Sequence, residues 1–402
     1  MMERRPPEGR AVRILHIITG LRLGGAEVML HRLLQASDLN ECSHEVVSLK
    51  DLGEIGERLQ QLGIPTHALG MSRVPNPMKL VRLVQYIKQT RPAVVQTWMY
   101  HANLLGGLAA RLAGDAKVVW GIHSGALNPA QTRRTTLWIV ALCAKLSHWI
   151  PDRIVAVSRT SRNHHVATGY DARKFIVLPN GFDLKQYKPD PDARREVRKE
   201  LDLDPEAVVI GLIARIDPVK DHLNFVRAAA LLGKRQPRAR FLLCGDGTTP
   251  ANRELFAAIR ETGLLDRFRL LGRRDDVPRI MNSLDVGTLC SSSGEAFPLV
   301  VGEAMACGVP CVVTDLGDCA HIVGDTGRVV PPRNPEALAR AWEDLVRLGP
   351  EDRRRLGLEA RHRIETRFSL SRVAAQYAAV YRGVLGTSAN HLVSSSRAVR
   401  NA

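Results

Sequence analysis

Short apolar runs rich in β-branched residues recur along this chain, and longer amphipathic stretches separate them. In the first half the runs are 12–19, 45–49, 93–97, 117–122, 153–158 and 175–178; in the second they are 208–213, 240–244, 269–271, 285–290 and 309–314. Helical periodicity fills the intervals, as at 26–35, 80–90, 223–234 and 253–262. Apolar runs of about four to eight residues alternating with helices specify βαβ units, and hence parallel sheets covered on both faces. The alternation stops over the charged, proline-punctuated segment 189–205 and then starts again. The fold class that follows is α/β, with two doubly wound domains at 11–186 and 206–368 and a linker at 187–205. An amphipathic helix is expected over 369–386, followed by a Ser- and Asn-containing tail, 387–402, expected to be disordered.

A length of 402 residues fits two domains, and 45% hydrophobic content excludes wholesale disorder. No apolar run reaches the roughly 20 residues of a membrane-spanning helix; the nearest, 136–150, is short and contains Lys145 and His148. The first ten residues lack the apolar core of a signal peptide. Seven scattered cysteines argue against a disulfide framework, and Cys307 with Cys311 has no second close pair to complete a zinc site. A reduced, cytoplasmic protein is expected. The formal charge is +16, with 24 basic against 13 acidic residues in 1–186 and 33 against 28 in the remainder. Such an excess suits nucleic acid, an anionic membrane surface or phosphorylated substrates. Nucleic acid is the weakest of the three, for there is no long basic run, zinc-finger spacing or aromatic-interleaved ribonucleoprotein signature. An arginine-rich background composition explains the charge equally well.

Ligands of open α/β sheets bind beyond the carboxyl ends of the strands, in this case in a cleft expected between the domains. After the first run, Gly24 and Gly25 open a helix, where bare backbone N–H groups can approach an anion. The spacing is not that of the dinucleotide fingerprint. His123 ends the run 117–122 among small residues; His101 and Asn103 are weaker candidates of the same kind. In the second half Arg215 and Lys220 straddle a proline-initiated turn, a bidentate guanidinium and a mobile ammonium suited to phosphate. Pairing of these cations with Asp217 or Asp221 is the alternative. In the stretch 291–310, Pro298 suits the first helical position and Gly308 the left-handed residue that ends the helix. Glu295 then precedes the helix and Glu303 lies on its second turn, an acid among Val, Ala and Met that requires partners such as a ribose diol.

Taken in order, Gly24-Gly25-Ala26-Glu27, Val177-Leu178-Pro179-Asn180-Gly181-Phe182-Asp183, Arg215 with Lys220, and Glu295-x7-Glu303 resemble the retaining glycosyltransferases of family 4, from residue 12 to about residue 385. The resemblance implies a GT-B fold, two Rossmann-like domains facing across a cleft, with the last helix returning to the N-terminal domain. It implies a nucleotide-sugar donor, which is a substrate, and no cofactor. By that analogy Glu303 accepts from the ribose, Glu295 contacts the transferred sugar, and Arg215 and Lys220 neutralise the diphosphate. Arg273 and Val277 border the base, Ala296, Phe297, Pro298 and Leu299 line the donor, Gly24 and Gly25 approach the phosphates, and His123 reaches the sugar. Ala214 and Ala296 stand where many relatives carry Gly, and the second change bears on the sugar pocket.

With two cations on the departing diphosphate a metal is unnecessary. The D-x-D patterns Asp190-Pro191-Asp192 and Asp202-Leu203-Asp204 both fall in the expected linker and are read as chance. The implied acceptor is a glycan or a polyprenyl-diphosphate-linked sugar in bacterial-style polysaccharide or glycolipid assembly. Arg133, Arg134 and Lys145 flank Leu137-Trp138-Ile139-Val140, a pattern suited either to peripheral contact with an anionic inner membrane face or to an ordinary packed helix. Competing readings are a nucleotide-sugar 2-epimerase of related fold and a non-catalytic nucleotide-sugar sensor.

Overall fold

The computed structural model describes residues 11–71, 77–127 and 132–386; the first ten residues and the expected tail, 387–402, lie outside them. The chain divides into two compact units. One runs to Ser124, continues to Gly181 and takes up the chain again from Leu370; the other is Phe182–Ser369 with Gly125–Leu127.

The first unit holds a seven-stranded parallel sheet built from β1 (Val12–Ile18), β2 (Cys42–Ser48), β3 (Thr66–Ala68), β4 (Val94–Trp98), β5 (Lys117–Ile122), β6 (Arg153–Ala156) and β7 (Phe175–Val177), in the order β3-β2-β1-β4-β5-β6-β7. The second holds six parallel strands, β8 (Val208–Ile213), β9 (Ala239–Cys244), β10 (Phe268–Leu270), β11 (Val286–Leu289), β12 (Cys311–Thr314) and β13 (Arg328–Val330), in the order β10-β9-β8-β11-β12-β13. Each is the doubly wound order, in which the winding reverses next to the first strand of the domain. The central strands are buried along their length because helices cover both faces, which is why they read as continuous apolar runs rather than alternating ones.

Two short edge strands, β3 and β13, escaped the periodicity: each has three residues and carries polar side chains, His67 and Arg328, at an edge. The final helix, Leu370–Val384, places Val373, Tyr377, Val380 and Tyr381 in the core of the first unit beside Ile14, Leu30 and Val46. The chain passes between units at Gly181–Phe182 and at Ser369–Leu370. A side chain at position 181 would come within 2.8 Å of the Leu370 backbone, and Phe182 bridges Ser369.

The segment 187–205 is not a free linker, contrary to its reading from charge and prolines. It forms the helix Pro191–Glu200, capped by the Asp190 side chain, and belongs to the second unit. Its Arg194 and Arg198 reach Asp285 at 2.7 and 2.6 Å. Two arginines that look solvated in sequence are thus structural anchors.

Candidate active site

The winding of the second sheet reverses between β8 and β11, so the turns after these strands are where a ligand is expected. After β8 the chain enters a single 3-10 turn, Pro218–Lys220, which the Asp217 side chain caps by accepting from Val219 N at 3.0 Å. Asp221 takes up a left-handed conformation (φ 51°) and caps the helix His222–Gly233. After β11 the loop at 291–297 folds against that turn, Ser292 N donating to Val219 O at 2.7 Å. Gly294 is left-handed at φ 77°, and Gly317 at φ 58° lies so close that a side chain there would meet the Glu295 and Ala296 carbonyls at 2.6 Å. These constraints hold Glu295 in place.

The turns bring Lys220 and Glu295 together. Lys220 Nζ lies 2.5 Å from Glu295 Oε1, and the same oxygen accepts from Ser291 Oγ at 2.6 Å. Glu295 is 9% exposed and Lys220 24%, so the pair is shielded on the acid's side and open on the ammonium's. Asp221, offered by the sequence as a partner for Lys220, instead caps its helix. Arg215 does pair as the alternative had it, donating to Asp217 Oδ2 at 3.0 Å, yet it stays 68% exposed and its guanidinium keeps unused donors. Burial raises the Asp217 carboxyl, but the Val219 N–H and Arg215 outweigh it and hold it below its usual range.

Glu303 is buried within the helix Leu299–Ala306, as its fifth residue. Pro298 is the residue before that helix, with extended backbone (ψ 121°), and not its first helical residue as expected; Leu299 opens the helix. Gly308 is left-handed (φ 77°), as the turn after the helix requires. Ala296 and Phe297 are buried, and the Phe297 ring is committed to an aromatic cluster with Phe182 and Phe368. Gly302 admits the Phe182 ring, which would lie 2.1 Å from any added Cβ. Along 272–277 the two adjacent arginines differ. Arg274 is tied to Asp276 and Glu200, whereas Arg273 is exposed, and Val277 begins the helix Val277–Asn282.

In the first unit, Gly24 and Gly25 begin the helix Gly25–Ala36 after β1. They are not equivalent: the Glu27 carboxylate fills the space beside Gly24, at 2.4 Å from where a Cβ would sit, while nothing lies near Gly25. His123 follows β5. Neither of its ring nitrogens, both buried, makes a hydrogen bond. Its ring stacks on Trp98 at 4.8 Å. Burial pushes its pKa down to about 4, opposed by the neighbouring Asn180 side chain, so the imidazole is neutral at pH 7, one nitrogen a donor and the other an acceptor. Asn103 is structural, accepting from Thr97 Oγ1 at 2.7 Å and donating to Gly121 O at 3.1 Å, and His101 lies beside it on the helix Tyr100–Ala113.

Sequence reasoning gave no role to Ser291, Gly317 or Trp98. Ser291 and Gly317 act only through Glu295 and carry no spacing signal; Trp98 reads as one more apolar residue of β4. The helix Arg134–Leu146 packs one face inward and leaves its basic residues exposed on the other. Val140, Cys143 and Ala144 face inward, while Trp138 is 77% exposed on a stripe with Arg134, Leu142 and Lys145, and Trp149 beyond the helix is 71% exposed. Among the described residues no helix is long and apolar enough to cross a membrane, and no three His, Cys, Asp or Glu side chains group as a metal site.

Family models match both units: "Glycosyltransferase Family 4" over residues 23–186 and "Glycosyl transferases group 1" over residues 193–363. The chain is 28% identical to a putative glycosyltransferase, EpsF, of Bacillus subtilis over 75% of its own length and 79% of that protein's. It is 28% identical to the UDP-Gal:alpha-D-GlcNAc-diphosphoundecaprenol alpha-1,3-galactosyltransferase of Escherichia coli over 69% and 72%. Its fold matches the crystal structure of Anabaena Alr3699/HepE in complex with UDP with a TM-score of 0.82 at 24% identity, covering 92% of this chain and all of that one.

Proposed function

The chain belongs to the glycosyltransferases that pair a Family 4 domain with a group 1 domain in a GT-B fold, and we propose that it is a retaining, metal-independent transferase with a nucleotide-sugar donor. Its acceptor, in this reading, is a glycan or a polyprenyl-diphosphate-linked sugar, and its setting polysaccharide or glycolipid biosynthesis. The relative named for a diphosphoundecaprenol-linked sugar supports the acceptor class, and the likeness to a fold solved with UDP supports the donor class. No cofactor enters.

The observation that carries the reading is the Lys220–Glu295 pair at the switch point of the second sheet. Breaking the anomeric C–O bond puts negative charge on the departing β-phosphate. The Lys220 ammonium and the Arg215 guanidinium answer that charge as it grows, so they stabilise the transition state more than the bound donor. Each charge-assisted contact contributes about 1.5–3 kcal/mol. Glu295 orients Lys220 with one oxygen and offers the other to a sugar hydroxyl. Glu303 accepts from the ribose, Arg273 and Val277 border the base, and the backbone of Ala296, Phe297, Pro298 and Leu299 lines the sugar. Within the first unit, Gly25 keeps an open backbone suited to an anion, with Gly24 partly screened by Glu27, and the neutral His123 offers one donor and one acceptor for a sugar hydroxyl. Retention follows from attack on the face the phosphate leaves. The C1–phosphate bond breaks, the bond from C1 to the acceptor oxygen forms, and the acceptor proton passes to the departing phosphate.

The exposed stripe of Arg134, Trp138, Leu142 and Lys145, with Trp149, supports peripheral contact with an anionic inner membrane face. Aromatic side chains suit the interfacial region and basic ones the anionic headgroups. The test of the donor reading is thermal stabilisation of the full chain by a panel of nucleotide sugars and free nucleotides, followed by transfer assays with the best donor in excess EDTA. One nucleotide-sugar series stabilising the protein, and transfer surviving EDTA, is expected. No stabilisation by any donor contradicts it, and product formed without an acceptor favours epimerisation.

A further inference from the structure

His123 does not stand alone at the end of β5. Beneath its ring lies Trp98, the last residue of β4 and fully buried, with ring centroids 4.8 Å apart and planes 22° from parallel. The indole is fixed in its own plane. Its Nε1 donates to His16 Nδ1 at 3.2 Å, and His16 Nε2 lies 3.0 Å from His44 Nδ1. An indole N–H is only a donor, so His16 Nδ1 accepts, and the neutral His16 ring carries its proton on Nε2 and donates to His44. One direction of hydrogen bonding therefore runs through three rings buried in the first unit. Tyr377, on the helix Leu370–Val384, stacks on the same indole at 6.1 Å.

The backbone around the indole is held with equal care. Met99, directly after Trp98, has φ 70° and ψ 165°, a conformation that residues other than glycine adopt at a cost in strain. It is retained because Met99 N donates to Gly121 O at 2.9 Å, an oxygen that also accepts from the Asn103 side chain. Gly121 allows this approach, since a side chain there would meet Thr97 O at 2.8 Å. On the other side of His123, Ser124 is clamped twice: its carbonyl accepts from Ser161 Oγ at 2.8 Å, and its hydroxyl bonds Tyr100, whose own hydroxyl lies 2.8 Å from His165 Nε2. Strained backbone beside an imidazole whose ring nitrogens are both buried is the pattern of a preorganised site.

We propose that Trp98 is the positioning residue for His123, its indole plane set by the His16–His44 pair and the strained turn at Met99, so that the neutral imidazole is held ready for the donor sugar. This rests on the reading of His123 as a sugar contact. The role explains why a tryptophan, and not a smaller apolar residue, ends β4: the stack needs the ring area and the tether needs the Nε1–H.

The test compares His123→Ala, Trp98→Leu, Trp98→Phe and His16→Leu in the full chain, by kcat for transfer, donor KM and the His123 ring resonances. His123→Ala is expected to lower kcat at least tenfold. Trp98→Leu should do the same with the affinity for free nucleotide within twofold of the parent. Trp98→Phe, which keeps a stacking ring, should recover part of the loss, and His16→Leu should lower kcat without raising donor KM. If His123→Ala leaves kcat unchanged, the reading of His123 falls and this proposal with it. If His123→Ala impairs transfer while folded Trp98→Leu and His16→Leu do not, the proposal alone is overturned. Should Trp98→Leu not fold, the parent protein decides: His123 ring protons at their ordinary positions, not displaced upfield by the indole, overturn it.

Discussion

Lys220 Nζ and Glu295 Oε1 lie 2.5 Å apart, joining the turn after β8 to the loop after β11. The pairing fixes a flexible side chain without exhausting it, because an ammonium has three donors and Glu295 engages one. Lys220→Ala should therefore remove both a phosphate contact and an anchor of the 291–297 loop. Steady-state assays are expected to show kcat at least tenfold lower, in line with loss of a charged donor to a leaving group. Arg215→Ala should lower kcat similarly with little change in thermal midpoint, since its pair with Asp217 is exposed. Unchanged turnover in both variants contradicts their assignment to the diphosphate.

Among the described residues of the first unit, desolvation holds several histidines neutral: His16 lies well below its ordinary pKa, and His44, His123 and His165 are each pushed down to about 4. In the unfolded chain these rings take up protons near pH 6.5, and in the folded one only well below it, near 4 for His44, His123 and His165. The unfolded state therefore binds more protons across that window, and stability falls as pH is lowered through it. The slope is at most about 1.4 kcal/mol per pH unit for each histidine. Denaturant unfolding at pH 7, 6 and 5 should show the first unit weakening before the second. A pH-independent midpoint over this range contradicts the burial of these rings as neutral groups.

Asp285 holds the second unit at the base of β11. It accepts from Arg194, Arg198 and Val209 N at 2.6–2.7 Å, with Arg353 at 3.9 Å. Burial raises its carboxyl, but the arginines and the Val209 N–H outweigh that and keep it below its usual range. Asp285→Ala leaves nearly buried guanidinium groups without their counter-charge and should cost about 3–5 kcal/mol, read by chemical denaturation. A loss under 1 kcal/mol would show that the carbonyls around Arg198 and Arg353 suffice.

Sedimentation with vesicles tests the membrane contact. Binding to phosphatidylglycerol-containing vesicles, weak binding to phosphatidylcholine alone, and a severalfold loss in Trp138→Ser are expected, with added salt weakening all of it. Equal binding to both vesicle types, or no effect of Trp138→Ser, removes the proposed face.

Much of this was legible in the residues. β5 and β8 appear at their observed bounds in the apolar runs, because helices on both faces make these two strands almost wholly apolar after Lys117. Glu303 stood out because an acid in an apolar helix demands a partner, and it is indeed buried. What stayed hidden depends on contacts distant in the chain. Arg194 and Arg198 read as solvated charge because Asp285 is about 90 residues away. Pro298 read as a first helical residue, yet its extended backbone serves the tight loop that presents Glu295. Trp98 carried no signal, since stacking on His123 leaves no trace in spacing.

The central claim, that the turns after β8 and β11 hold a nucleotide-sugar donor with the two glutamates in different roles, is tested most directly by calorimetry. The full-length parent, Glu295→Ala and Glu303→Ala are titrated with the stabilising nucleotide sugar and with its free nucleotide. Glu303→Ala should weaken both ligands alike, by tenfold or more, and Glu295→Ala should weaken the nucleotide sugar at least fivefold more than the nucleotide. The reverse ordering, or affinities unchanged in both variants, contradicts the account.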